Sequence, residues 1–321
     1  ATLYCTLEPC NHHGRTPPCA PAVAEAGIVR VVAALADPNP LARGGGARLR
    51  AAGVDVEMGV LASEAERQNR VWLTALRERR PHVTLKAAAT LDGKIADVHG
   101  GSRWITGEAA RLHAHRLRAE SDAIVVGVTT ALRDDPALTV RLSEPWPREP
   151  YRVVLDTRAR LGPDARLIHA GTPSRAVFAV GAQAPADRLA ALERAGAMVL
   201  RGPTRGGRVD VAALLAQLFE LEVRAVLVEG GGETHAAFLE AGVVDRMALF
   251  LAPLLLGGRE APTVLGGPGR ELKSALRLGP LTVTTLGDDV LLEADIARDG
   301  SSPDRRAPEA PRSGPDGDQG E

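Results

Sequence analysis

RAVLVEGGG, residues 224–232, carries a run of apolar residues, Ala225 to Val228, that meets Glu229 and then three glycines. Four consecutive apolar positions leave no polar alternation, so both faces of the strand they form must be covered. Gly230, Gly231 and Gly232 then make a tight turn, and Glu233 to Ala241 resumes as a helix. A buried strand that passes through a turn into a helix is the repeating joint of an α/β fold. Glycines at such a joint let backbone N–H groups approach a phosphate, and the following helix N-terminus adds partial positive charge. Taken alone the turn is also ordinary strand-to-helix chemistry, and it is not a G-x-G-x-x-G dinucleotide fingerprint.

The same alternation extends in both directions. Val211, Leu214, Leu215, Leu218 and Phe219 recur at helical spacing behind Asp210, a helix cap. Strands are expected at His82 to Thr90, Ala123 to Val128, Tyr151 to Asp156 and Ala176 to Val180, with a helix from Thr106 to Glu120. Leu281–Leu286 and Val290–Ile296 lie close together and read as an antiparallel edge on an otherwise mainly parallel sheet. Ser63-Glu64-Ala65-Glu66 has the pattern of a capping box, opening a helix that runs to about Arg79 and stops at Pro81. A domain boundary is placed there, giving residues 1–80 and 81–297. In the first part, Ile28 to Leu35 and Val54 to Glu57 are strands following Ala-rich helical segments. From Arg298 the chain is Pro, Gly, Ser and charge, so a disordered tail is expected over 298–321. The chain opens inside an apparent strand, Ala1 to Leu7, and reads as a fragment lacking its N-terminal part.

A length of 321 residues suits roughly two domains. With 39 Lys+Arg against 40 Asp+Glu, the surplus of cations that a nucleic-acid binder needs is absent. Aromatics at 3% also leave few platforms for stacking bases. No run of about 18 apolar residues suggests a membrane span, and no signal peptide is visible. Three Cys do not make a disulfide framework, which favours a reducing, cytoplasmic setting.

The most specific local feature is TLEPCNHHGRTPPC, residues 6–19. Cys10 and Cys19 flank eight residues, and a helix begins just after Pro17-Pro18. Two thiolates plus one imidazole, with a fourth position open to water, make a catalytic zinc site; the pair alone is equally two buried thiols in a turn. Glu8 reads as a carboxylate that accepts hydrogen bonds from loop amides, and Cys5 as a small buried hydrophobe.

Further along, Lys86 lies on a strand leading to Leu91-Asp92-Gly93-Lys94, SRWITG (102–107) precedes a helix, and DDPALTVR (134–141) is a polar loop ending in Arg. Arg118 and Arg141 suit charge-assisted bonds to phosphate, although a helical Arg is commonly just solvated. Trp104 suits stacking on a flat heterocycle, or a place in the core.

In order along the chain, TLEPCNHHGRTPPC, Asp37-Pro38-Asn39-Pro40, LDGKIA, SRWITG, DDPALTVR and VEGGG resemble the bacterial bifunctional riboflavin-biosynthesis deaminase/reductases. The resemblance implies part of a cytidine-deaminase-like α/β domain, then a dihydrofolate-reductase-like α/β domain with a mainly parallel sheet. It implies Zn2+ on Cys10 and Cys19. The family's third ligand, a His, and its proton-shuttling Glu come from a His-Ala-Glu motif that this sequence lacks. NADPH is implied along Ala88, Trp104, Thr130 and Asp134, with Thr157 near its adenosine end. Its phosphates would lie over Gly231, Gly232, Glu233, Thr234, His235, Ala236 and Ala237. The phosphorylated ribosylamino-pyrimidine substrate would meet Ser102, Arg118, Leu138, Arg141 and Glu229, the two arginines reading its phosphate. Lys86 and Asp134 are the candidates to hold the polar end of the reacting sugar. The family also suggests a homo-oligomer.

Overall fold

The computed structural model describes residues 1–144 and 146–297; the tail expected to be disordered lies outside them. The chain begins with β1 (Thr2–Leu7), α1 (Cys19–Glu25), β2 (Arg30–Leu35), α2 (Gly45–Ala51), β3 (Asp55–Met58) and α3 (Ala62–Glu78). The three strands form a parallel sheet in the order β1-β2-β3. Ala20, Val31, Leu49, Val54 and Val56 are buried between this sheet and its helices.

A second sheet starts at β4 (His82–Thr90). It continues through α4 (Glu108–Ala119), β5 (Ala123–Gly127), α5 (Val128–Asp134), β6 (Tyr151–Leu155), α6 (Arg166–His169), β7 (Ala176–Gly181), α7 (Ala186–Arg194) and β8 (Met198–Gly202). A short hairpin, β9 (Thr204–Arg205) and β10 (Arg208–Val209), precedes α8 (Val211–Glu220), β11 (Ala225–Val228), α9 (Gly232–Glu240), β12 (Arg246–Ala252), β13 (Thr282–Leu286) and β14 (Asp289–Asp295). The described strand order is β13-β14-β12-β4-β11-β5-β6-β7-β8. All pairs from β12 to β8 are parallel, and β13 and β14 are the antiparallel edge that the sequence suggests.

The apolar runs are long because both faces of the sheet are covered. Val83, Leu85, Val125, Val153, Val226 and Val228 pack under α8 and α9, against Leu214, Leu215, Leu218 and Phe238. Their neighbours Ile124, Val126, Val154 and Phe178 face the other way, onto Leu167, Ile168, Leu189 and Leu192. β11 stands at the middle of the order, with all four residues buried. Asp210 caps α8 by accepting hydrogen bonds from the Ala212 and Ala213 amides at 2.9 and 3.2 Å, an arrangement that typically stabilises by ~1 kcal/mol.

Three local expectations are corrected. Ser63 does not cap α3: the helix starts one residue earlier, behind Leu61 at φ 55°, with no side-chain cap bond. The strand at Ala123 ends at Gly127, and α5 follows where the sequence suggests only a strand end and a loop; its β-branched Val128, Thr129 and Thr130 mask a helix. β12 was not anticipated, yet it lies between β4 and β14, with Ala248, Phe250 and Ala252 buried. At the end of α3, Arg80 forms a bidentate pair with Asp245 at 2.7 and 2.8 Å and ties the helix to the second sheet. No described helix is long and apolar enough to cross a membrane.

Candidate active site

Parallel α/β sheets present their ligand sites beyond the C-terminal ends of the strands. A cavity of about 860 Å³ opens there, across β4, β11, β5 and β6. β4 contributes Lys86 and Ala88, and the segment before α4 contributes Ser102 and Trp104. Thr130 and Asp134 come from α5, Thr157 from the end of β6. Glu229, Gly231, Gly232, Glu233, Thr234 and Ala237 follow from β11 into α9. These sequence candidates, scattered from Lys86 to Ala237, meet because four consecutive strands of the order all end on this side.

Of the remaining candidates, Arg118, Leu138, His235 and Ala236 sit behind the wall, and Arg141 is exposed. Arg118 reaches from α4 to Glu229 and forms a bidentate ion pair, with Nε–Oε1 and Nη2–Oε2 both 2.7 Å. Its Nη1 donates to the Thr139 carbonyl at 2.9 Å. This guanidinium therefore holds the Glu229 carboxylate in place, rather than standing free to read phosphate. The Arg141 amide donates to Nδ1 of His115 at 3.2 Å, which anchors the polar loop to α4. Leu138 is 2% exposed, with φ 51°, so its side chain belongs to the core. His235 is buried with Nδ1 2.9 Å from the Val264 carbonyl, and Ala236 is buried beside it. Trp104 is 67% exposed, which removes the core reading, and the Arg111 guanidinium lies 4.7 Å from its ring centroid.

The electrostatics of the inner end follow from burial. Desolvation pushes the Glu229 carboxyl up, but Arg118, Lys86 and His115 outweigh it and hold its pKa at about 2. Desolvation lowers the Lys86 ammonium, with Glu229 opposing and Arg118 reinforcing the shift. The His115 imidazole is pushed down to about 4 by desolvation first, then by Arg118 and Arg141. The inner end thus sets the Glu229 anion against the Arg118 guanidinium, with the Lys86 amine and a neutral imidazole beside it. Lys86 also lies 5.6 Å from the Phe250 ring centroid.

The glycine turn has the shape of a cradle. Gly231, at φ −72° and ψ 173°, is the N-cap of α9, and a Cβ there would meet only Thr130 Oγ1, at 3.8 Å. Its neighbours are crowded: a Cβ at Gly230 would come 2.5 Å from Thr234 Cβ, and one at Gly232 would come 2.5 Å from the Thr263 carbonyl. Gly231 therefore leaves open space where the Gly232 and Glu233 amides, ahead of the first bonded amide of α9 at Thr234, border the cavity. That geometry and the cavity volume fit a phosphate-bridged dinucleotide. Arg103, Arg111, Arg133, Arg158, Arg160 and Arg208 also line the wall and escaped the sequence reading. The position of Arg158 and Arg160 just past the apolar strand β6 was the available signal.

In the N-terminal segment, the Cys19 amide donates to Cys10 Sγ at 3.3 Å, so the two cysteines do adjoin. No set of three His, Cys, Asp or Glu able to hold a metal converges among the described residues. Two sulfur ligands do not complete a zinc site. Glu8 does bind loop amides, accepting from Asp37 and Gly46 at 3.1 and 2.8 Å.

The RibD C-terminal domain model matches residues 81–292. The riboflavin biosynthesis protein RibD of Bacillus amyloliquefaciens is 41% identical over 308 residues, covering 95% of this chain and 81% of that protein. Among solved structures, Acinetobacter baumannii RibD superposes with a TM-score of 0.76 at 35% identity, over 91% of this chain and 80% of that one. A Thermotoga maritima diaminohydroxyphosphoribosylaminopyrimidine deaminase/5-amino-6-(5-phosphoribosylamino)uracil reductase gives 0.73 at 32% identity, over 91% and 78%. The mainly parallel fold, the cavity beyond β4 to β6 and these likenesses agree: the chain belongs to the RibD family of riboflavin biosynthesis proteins.

Proposed function

We propose that residues 81–297 form an NADPH-dependent reductase domain that converts the ribose of 5-amino-6-(5-phosphoribosylamino)uracil to a ribityl chain. The observation that carries this reading is the pairing, in one cavity, of the open glycine cradle at α9 with the Lys86–Glu229–Arg118 charge cluster. NADPH, when bound, supplies the hydride for the sugar carbon of the open-chain form. Lys86 and Glu229 bind the polar atoms around that carbon, and Arg118 fixes the orientation of Glu229. Asp134 and Ser102 border the same space. Fixing two reactants in one pocket removes most of the entropic barrier to a bimolecular step. Arg141 remains the candidate for the substrate phosphate, with Arg118 reassigned to positioning.

The test is loss of NADPH absorbance by the purified chain. Oxidation is expected only when 5-amino-6-(5-phosphoribosylamino)uracil is added, with a product heavier by two hydrogens. Absence of oxidation with folded protein and authentic substrate would remove the assignment.

A second reading, in which residues 1–80 also deaminate the diamino precursor with Zn2+, is favoured by the adjoining Cys10 and Cys19. It requires a third ligand and a proton-shuttling carboxylate in addition to the groups described. The reductase reading needs nothing further from the protein, and it is the one adopted.

A further inference from the structure

His115, on α4, meets Arg141 at two points. The Arg141 backbone N–H is directed at Nδ1 of the ring at 3.2 Å, and its side-chain Nε–H at Nε2 of the same ring at 3.3 Å. Both contacts need the imidazole to accept. A neutral imidazole has one nitrogen with a free lone pair and one that carries a proton, and an imidazolium has no free lone pair. In either state at least one contact sets N–H against N–H. The backbone amide is held by the loop, whereas the guanidinium can swing. Nδ1 therefore accepts from the amide, which fixes the proton on Nε2, facing the Arg141 Nε–H.

Two donors that face each other are both satisfied by an acceptor placed between them. Among the described residues no carboxylate forms an ion pair with Arg141. The surroundings favour an anion there. Desolvation lowers the Arg141 guanidinium, and Arg118, Arg166 and Arg103 lower it further, with Glu229 opposing. Glu229 is already engaged by Arg118. The pair also adjoins the inner end of the cavity. Lys86 and Glu229, which line it, act on the His115 imidazole together with Arg118 and Arg141, and Arg103 lines it as well.

We propose that His115 binds the substrate phosphate directly: its Nε2–H and the Arg141 guanidinium turn onto the phosphate oxygens, while Nδ1 keeps the Arg141 backbone in place. The proposal rests on the reading of Arg141 as the substrate-phosphate candidate and adds to it a ligand from α4. Hydrogen bonds to an ionised acceptor are the strong ones, so one more donor has a measurable effect.

The experiment is calorimetric titration of the full chain, without NADPH, using 5-amino-6-(5-phosphoribosylamino)uracil and its dephosphorylated counterpart. Wild type should prefer the phosphorylated ligand. His115→Phe keeps the bulk of the ring without its nitrogens. It should weaken the phosphorylated ligand by on the order of tenfold or more, and the other less than about twofold. His115→Gln carries an amide out to the Nε2 position and should recover much of the loss. His115→Asn reaches only the Nδ1 position and should recover little. If the Phe variant does not fold, the comparison of Gln with Asn decides. A Phe variant that weakens both ligands alike or neither, or Asn restoring affinity where Gln does not, would make His115 only the anchor of the loop. Wild type that binds both ligands equally would remove the phosphate role of His115 and Arg141 together. In each of these cases NADPH oxidation decides the reductase reading separately.

Discussion

Replacing Glu229 with Gln is expected to destabilise the folded chain by about 3–5 kcal/mol, because it leaves the Arg118 guanidinium buried without its counter-charge. The two side chains are only 14% and 9% exposed, so solvent screens the pair weakly. Gln is nearly isosteric, which keeps cavity formation out of the result. Adding Arg118→Met to Glu229→Gln should restore most of the loss, since an apolar side chain then fills a site with no stranded charge. The sign of the pH dependence follows from the depressed carboxyl. Its contribution is complete above the ordinary value of 4.5 and is lost as pH falls towards about 2, so wild type and variant should converge over that window. Urea unfolding at neutral pH measures the difference; a loss below about 1 kcal/mol would mean that the pair is effectively solvated.

Gly231→Val should weaken NADPH by on the order of a hundredfold while leaving thermal unfolding of the free protein nearly unchanged. The backbone at Gly231 is extended, with φ −72°, and among the described residues an added Cβ would come within 4 Å of Thr130 Oγ1 alone, at 3.8 Å, so the fold has room for a side chain. The added bulk projects where the phosphates would meet the α9 amides. Losing one or two charge-assisted bonds of about 1.5–3 kcal/mol accounts for the magnitude. Gly230→Ala and Gly232→Ala serve as contrasts. Their Cβ atoms would lie 2.5 Å from Thr234 Cβ and from the Thr263 carbonyl, so these variants should lower the melting temperature itself. Unchanged NADPH affinity in Gly231→Val would make the turn a packing device.

The sheet was legible in the sequence because β5, β7 and β11 are continuously apolar and its turns carry Gly. β4, β5, β6, β7 and β11 fall within a residue or two of the expected limits. β12, Arg246–Ala252, escaped although Asp245 and Pro253 bracket it, because its partners β4 and β14 are remote in sequence. The helix α5 escaped because β-branched residues open it. The cavity candidates on β4, α5 and α9 share one wall, since each lies at the C-terminal end of a strand or just beyond it. Arg118 needed coordinates: its spacing from Glu229, 111 residues, shows nothing of a bidentate pair. Leu138 and His235 likewise needed them, because burial behind a wall leaves no local pattern.

The most direct test of a shared cavity is the fate of the transferred hydrogen. The chain is incubated with NADPH dideuterated at nicotinamide C4 and with 5-amino-6-(5-phosphoribosylamino)uracil, and the product is analysed by mass spectrometry and NMR. One deuterium at the former anomeric carbon is expected from direct transfer between a cofactor seated on the α9 cradle and a sugar held beside Lys86. A reduced product without deuterium, or no reduction at all, would contradict that arrangement.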